Sequence, residues 1–174
     1  MSQKVSLKHI RECDMRLLSY RAKCGDAFHL QYEGESGKRR NIFLDMGHTK
    51  TYTQVLKGVI SNIVGASEQI DALFLSHIHD DHIGGASRFI NDIQKDSALG
   101  NVVIRWIYNA PRKYDVEETD DKKAGVLCGI VSGDKVYEHI LSHRPTDLGD
   151  VLEGMSFNID GMIVTILSPN ESKL

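Results

Sequence analysis

The stretch from Ile70 to Gly85 limits this chain more than any other. Residues 70–75 form a short, nearly continuous apolar run, a length that suits a buried strand rather than a helix. One residue later comes His77-Ile78-His79-Asp80-Asp81-His82-Ile83-Gly84-Gly85. A buried strand fixes the base of the loop that follows it, so the loop can aim several side chains at one point. His77 and His79 alternate with Ile78, and in an extended loop both rings face the same way. Asp81 and His82 then present a second set of ligand-type groups. Imidazole nitrogen and carboxylate oxygen suit Zn2+, and to a lesser degree Mn2+ or Fe2+. Any one of these residues could be an ordinary polar loop residue. Four of them at this spacing after a buried strand point to a metal site, and Gly84 and Gly85 allow the tight turn into a following helix.

The flanking patterns suit an α+β domain. Residues 15–20, 27–33 and 41–45 read as strands, with Gly34-Glu35-Ser36-Gly37 as a hairpin turn. Over residues 51–64, Val55, Val59 and Ile63 recur every fourth residue beside Leu56, Ile60 and Val64, the stripe of an amphipathic helix lying on a sheet. A second helix is expected over 85–95, a strand over 102–108, a helix over 132–143 with Ser132 as its cap, and a final strand over 162–167. Residues 111–123 are dense in charge and read as a solvated surface loop, with a substrate-facing lid as the alternative.

The formal net charge of -3 argues against a broad basic surface, so any nucleic-acid contact has to be local; Arg39, Arg40, Arg112 and Lys113 are the candidates. No run approaches the ~20 apolar residues of a membrane span, and the polar N-terminus lacks a signal-peptide core. Cys13, Cys24 and Cys128 are odd in number with no CxxC pair, and read as reduced thiols of a cytoplasmic protein. His139 and His143 stand four apart on the expected helix, without the intervening Glu of a metalloprotease helix. They read as surface or packing residues. His9 and His29 carry no site role; His48, close to the Asp45 loop, is the candidate exception.

Residues 77–85 resemble the HxHxDHxGG signature of the metallo-β-lactamase superfamily at every defined position. The strand Asn41-Ile42-Phe43-Leu44-Asp45-Met46-Gly47 resembles the family's strand ending in Asp-x-Gly, and Gly25-Asp26-Ala27-Phe28 its opening strand. Residues 154–169 resemble the corresponding strand of ComEC-type competence proteins. The resemblance implies an αβ/βα sandwich of which this chain supplies the N-terminal sheet and its helices, so that residues 1–174 are the N-terminal half of a domain. It places His77 and His79 in a first metal site, Asp81 and His82 in a second, and Asp45 behind them, orienting a ligand. It implies two Zn2+ per complete site, and a bridging carboxylate and last histidine that this sequence does not show.

The expected function is hydrolysis by a dinuclear-metal-bound hydroxide, with catalysis resting on His77, His79 and Asp81 and phosphodiesters of DNA or RNA as substrate. A small ester, thioester or lactone is the alternative substrate, and a catalytically silent metal-binding subunit the alternative role. Strands apolar on both faces would leave one sheet face bare, so a second polypeptide supplying the C-terminal half of the fold is expected as partner.

Overall fold

The computed structural model of the chain describes residues 14–22, 25–109 and 123–173. His9, Cys13, Cys24, Arg112, Lys113, nearly all of the charged segment at 111–123 and the side chain of Cys128 lie outside the described residues.

β1 (Arg16–Ser19), β2 (Phe28–Glu33), β3 (Arg39–Leu44), β4 (Ala72–Leu75) and β5 (Trp106–Tyr108) form one five-stranded sheet in chain order. The first three strands run antiparallel; β3, β4 and β5 run parallel. The β2–β3 hairpin turns through residues 34–37 as expected, with Gly37 at φ 75 and the Gly34 N–H donating to the Lys38 carbonyl at 2.9 Å. The expected strand over 102–108 is shorter: upstream of Trp106, Val103 makes only an isolated bridge to Ile70.

The parallel strands need crossovers, and helices supply them. Between β3 and β4, α1 (Thr49–Thr51), a π-helical turn (Tyr52–Leu56) and α2 (Lys57–Gly65) follow one another without a break. Between β4 and β5 lies α3 (Asp80–Ile93), and α4 (Lys123–His143) follows β5. These helices cover one sheet face. Phe43, Leu73, Leu75, Trp106 and Tyr108 point into them and meet Leu56, Ile60, Ile83, Phe89, Ile90, Val136 and Ile140. Asp92, buried on α3, ties the layer together by accepting from Tyr52, Lys57 and Arg88 at 3.0, 2.9 and 2.7 Å. Burial opposes its ionisation, but those three donors outweigh it and hold the carboxyl down at about 2.

The opposite face is not bare, which corrects one expectation. β6 (Ser156–Ile159) and β7 (Met162–Thr165) form a hairpin around Asp160-Gly161, both at positive φ. Its inward side chains pack on Tyr32, Ile42, Ala72, Phe74 and Ile107. Hydrogen bonds fasten it: Tyr32 Oη donates to the Ile159 carbonyl, Arg40 spans Asp160 and Asp71 at 2.8 Å each, and the Glu35 and Ser36 amides donate to Asp160. The expected strand at 162–167 is therefore one arm of a hairpin. This five-stranded mixed sheet with its helices is consistent with the metallo-β-lactamase fold. Among the described residues no helix is long and apolar enough to cross a membrane.

Candidate metal centre

The parallel strands β3 and β4 end side by side, and the segments leaving them carry the polar groups. Asp45 follows β3 at φ 55, a left-handed conformation that Asp tolerates better than most residues. Ser76 and His77 follow β4. The next helix begins at Asp80, five residues earlier than its apolar stripe suggests, so Asp80, Asp81 and His82 belong to its first turn and not to an extended loop. His79, with extended backbone, precedes that turn. Two carboxylates at a helix N-terminus complement its dipole, which favours starting the helix there. Gly85 sits flush against the Met46 backbone and Gly129 of α4 against that of Ile78, so a Cβ at either would collide with a carbonyl.

His77 packs against the rings of both His79 and His82. His77 lies 4.8 Å from His79 and 4.0 Å from His82, centroid to centroid, and His82 Nε2 is 3.8 Å from an Asp81 carboxylate oxygen. Asp45, 2 % exposed, sets the tautomers of His82 and His77. Its Oδ2 accepts from His82 Nδ1 at 2.8 Å and from the Ser76 hydroxyl at 2.6 Å. With its proton committed to Asp45, Ser76 Oγ accepts from His77 Nδ1 at 2.9 Å. One accepting carboxylate thus keeps the proton on Nδ1 of two histidines and leaves both Nε2 lone pairs for a ligand. The Ser76 amide completes Asp45's partners, donating to Oδ1 at 2.8 Å.

Burial, together with the neighbouring His82 and His79, pushes the His77 pKa down and keeps its ring neutral, the form a metal accepts. Neighbouring imidazoles and a partly exposed carboxylate are nitrogen and oxygen donors of the kind divalent metals take. Asp26, Asp45 and His82 also bring ligand-type atoms within 4.8 Å of one another. Asp45 is fully engaged and His82 points Nδ1 at it, so this trio lies behind the histidines rather than among the groups facing a metal. Asp26, 3.8 Å from His82 Nδ1, adds a second carboxylate at the back of the ring.

The family model of the metallo-beta-lactamase superfamily matches residues 35–157. The chain belongs to that superfamily. Membership suggests a metal-dependent hydrolase. No curated protein matches the chain.

Members of the centre that the sequence reading leaves out are Ser76, Asp26 and Ser132. Ser76 could be suspected only as the hydroxyl between the strand and the first histidine. Ser132 is expected as a helix cap; α4 instead begins at Lys123, which places Ser132 inside the helix. Its hydroxyl donates to Asp80 at 3.2 Å. The small residues Gly129 and Ser132 lie on the side of α4 that continues to Val136 and Ile140, and that stripe is visible in the sequence.

The remaining candidates fall elsewhere. His48 does stand beside the motif, its Nδ1 3.2 Å from Asp80 Oδ2. His29 is buried in the sheet between Tyr20 and Asn41, stacked on Phe43. His139 and His143 stack on each other, with His139 packed on Trp106. Arg40 is held by Asp71 and Asp160, and Arg39 shares its end of β3, opposite Asp45. That pair is therefore not a phosphate-contacting patch at the centre.

Proposed function

We propose that His77, His79, Asp81 and His82 hold catalytic metal, with zinc as the metal and phosphodiesters as the substrate class, as in ComEC-type hydrolases. The observation that supports the reading is the bonding of Asp45: directly to His82 and by way of Ser76 to His77, it engages Nδ1 of both rings and leaves their Nε2 atoms for a ligand. A divalent metal held there supplies a nucleophile from water at neutral pH and an electrophile for the phosphoryl oxygen. The chain's own contribution is geometry. Asp45 holds two rings in one tautomer and orientation, Asp81 adds a carboxylate from the first turn of α3, and the strand ends of β3 and β4 keep both rigid. The phosphodiester substrate is supported by the resemblance of residues 154–169 to ComEC-type proteins.

Metal analysis of the purified chain and of His77→Ala and Asp81→Ala, with hydrolysis of bis(p-nitrophenyl) phosphate, a thioester and a lactone, tests the reading. The expected result is bound zinc and phosphodiester turnover in the unaltered chain, both lost in each variant while the circular dichroism spectrum is kept. Turnover of the thioester or lactone alone moves the substrate class. Bound metal with no turnover of any substrate favours a silent metal-binding subunit.

We also propose that the chain is the first half of an αβ/βα sandwich and pairs with a second polypeptide. The β6–β7 hairpin supports this: a two-stranded sheet is small for the second layer of a sandwich, and Ile163 and Leu167 on and beside β7 are 67 % and 81 % exposed. Denaturing mass spectrometry should show that second species beside the 19.5 kDa chain.

A further inference from the structure

A cavity of about 600 Å³ opens beside the metal centre, between residues 21–22, the start of the helical segment at Thr49, and Asp80. Its polar wall includes Arg21, His48, Thr49, Lys50, Gln54 and Asp80. We infer that it is an oxyanion subsite, in which Arg21 and Lys50 hold a second phosphate of the substrate, one flanking the phosphodiester under attack. The substrate in this statement rests on the hydrolase reading; the affinity of the cavity for phosphate does not.

Charge is the first argument. Among the described residues Arg21 and Lys50 face a single lining carboxylate, Asp80, which already accepts from His48 and Ser132. A cationic hollow in a chain of net charge -3 runs against the average surface. The second argument is the lack of partners. Arg21 and Lys50 form no ion pair among the described residues, a state they share with several other cations of the chain, so their charges are open to a ligand without being set apart by that alone. Both are exposed, with their charges available to a ligand.

Position is the third argument. Asp80 belongs both to the cavity and to the helical turn that carries Asp81 and His82. Thr49 Oγ1 donates to the Gly84 carbonyl at 3.3 Å, which ties the cavity floor to the same turn. Gln54 and Val55 line the hollow from the π-helical turn, a distortion that recurs at functional sites. An anion seated here lies next to, not on, the neighbouring histidines.

Orthophosphate titrated into the whole, metal-loaded chain, followed by amide NMR, tests the subsite directly. Shifts are expected at Arg21, residues 49–51 and Gln54. Arg21→Gln with Lys50→Gln should weaken that binding roughly tenfold or more, the scale of losing charged hydrogen bonds. Arg21→Lys with Lys50→Arg should largely restore it. Shifts confined to residues 77–85, or a double variant that binds phosphate as tightly as the parent, overturn the inference. In kinetics, the glutamine pair should raise KM for a 5′-phosphorylated dinucleotide about tenfold more than for bis(p-nitrophenyl) phosphate, which has no second anion. Equal losses on both substrates count against the subsite. Failure of the hydrolase reading is distinguishable: neither substrate turns over, yet orthophosphate still shifts residues 49–51.

Discussion

On one face of the five-stranded sheet, Phe43, Leu73, Leu75 and Trp106 meet a layer of helices in which the buried Asp92 of α3 ties in the π-helical turn and α2. On the other, Ile42, Ala72, Phe74 and Ile107 meet one hairpin of four-residue strands, fastened through Tyr32, Arg40 and Asp160. The metal centre belongs to the first face. α3 carries Asp81 and His82 on its first turn and Ile83, Phe89 and Ile90 into the helical core, so any loosening of that core moves ligands directly. The hairpin face touches no residue of the centre among the contacts described above. Rigidity where the chemistry is placed, and a lighter cover where it is not, is the division the two faces express.

The division can be broken by experiment. Phe89→Ala, at a fully buried α3 position, should cost about 3–5 kcal/mol in denaturant unfolding and lower metal occupancy with it. Stability lost without any change in metal content would separate core from centre and defeat the comparison.

Acid should attack the helix face next. Burial, with His143 nearby, pushes the His139 pKa down to about 4, and its Nδ1 is buried without a partner. The unfolded chain takes up this proton below about 6.5 and the folded chain does not. The contribution is therefore complete above that pH, falls as pH drops toward 4, and amounts to roughly 3 kcal/mol. His139→Leu should flatten the stability profile between pH 6.5 and 4; an unchanged slope would assign the acid sensitivity elsewhere.

Asp45→Asn sharpens the link between fold and site. Asn tolerates the same positive φ, but its amide cannot serve as the doubly accepting carboxylate. Metal affinity should fall about 10–100-fold with little loss of fold, measured by competition with a chelating dye. The smallest effect is expected across the sheet. Phe157 is only half-buried, so Phe157→Ala should cost roughly 1–2 kcal/mol and leave metal content intact. A drop in metal content there would show the two faces to be coupled.

The sequence is most legible where burial and periodicity agree. The all-apolar β4 and the stripe of Leu56, Ile60 and Ile63 sit where their patterns place them, because each element meets one continuous core. The start of α3 is misplaced because polar side chains on its first turn serve the centre, and an apolar stripe cannot report them. The hairpin leaves a readable mark, alternation on both sides of Asp160-Gly161, which is a strong turn pair. Arg21 and Lys50 leave none. Each matters through a neighbour far away in sequence, and one chain without its fold does not say which charges end up together.

The order of the chain has its own consequence. The Asp45–Ser76–His77–His82 bonding spans fewer than 40 residues, whereas Tyr32 waits for Ile159, 127 positions later. A ribosome adding 5–20 residues each second finishes the histidines roughly 4–15 seconds before it delivers the strand that shields Ile42, Ala72 and Phe74. Newly made protein of this kind passes through an interval in which the ligand loop is complete and the sheet behind it is still sticky. Stalled nascent chains ending near residue 150 should accordingly bind a hydrophobic dye, and chains released at full length should not.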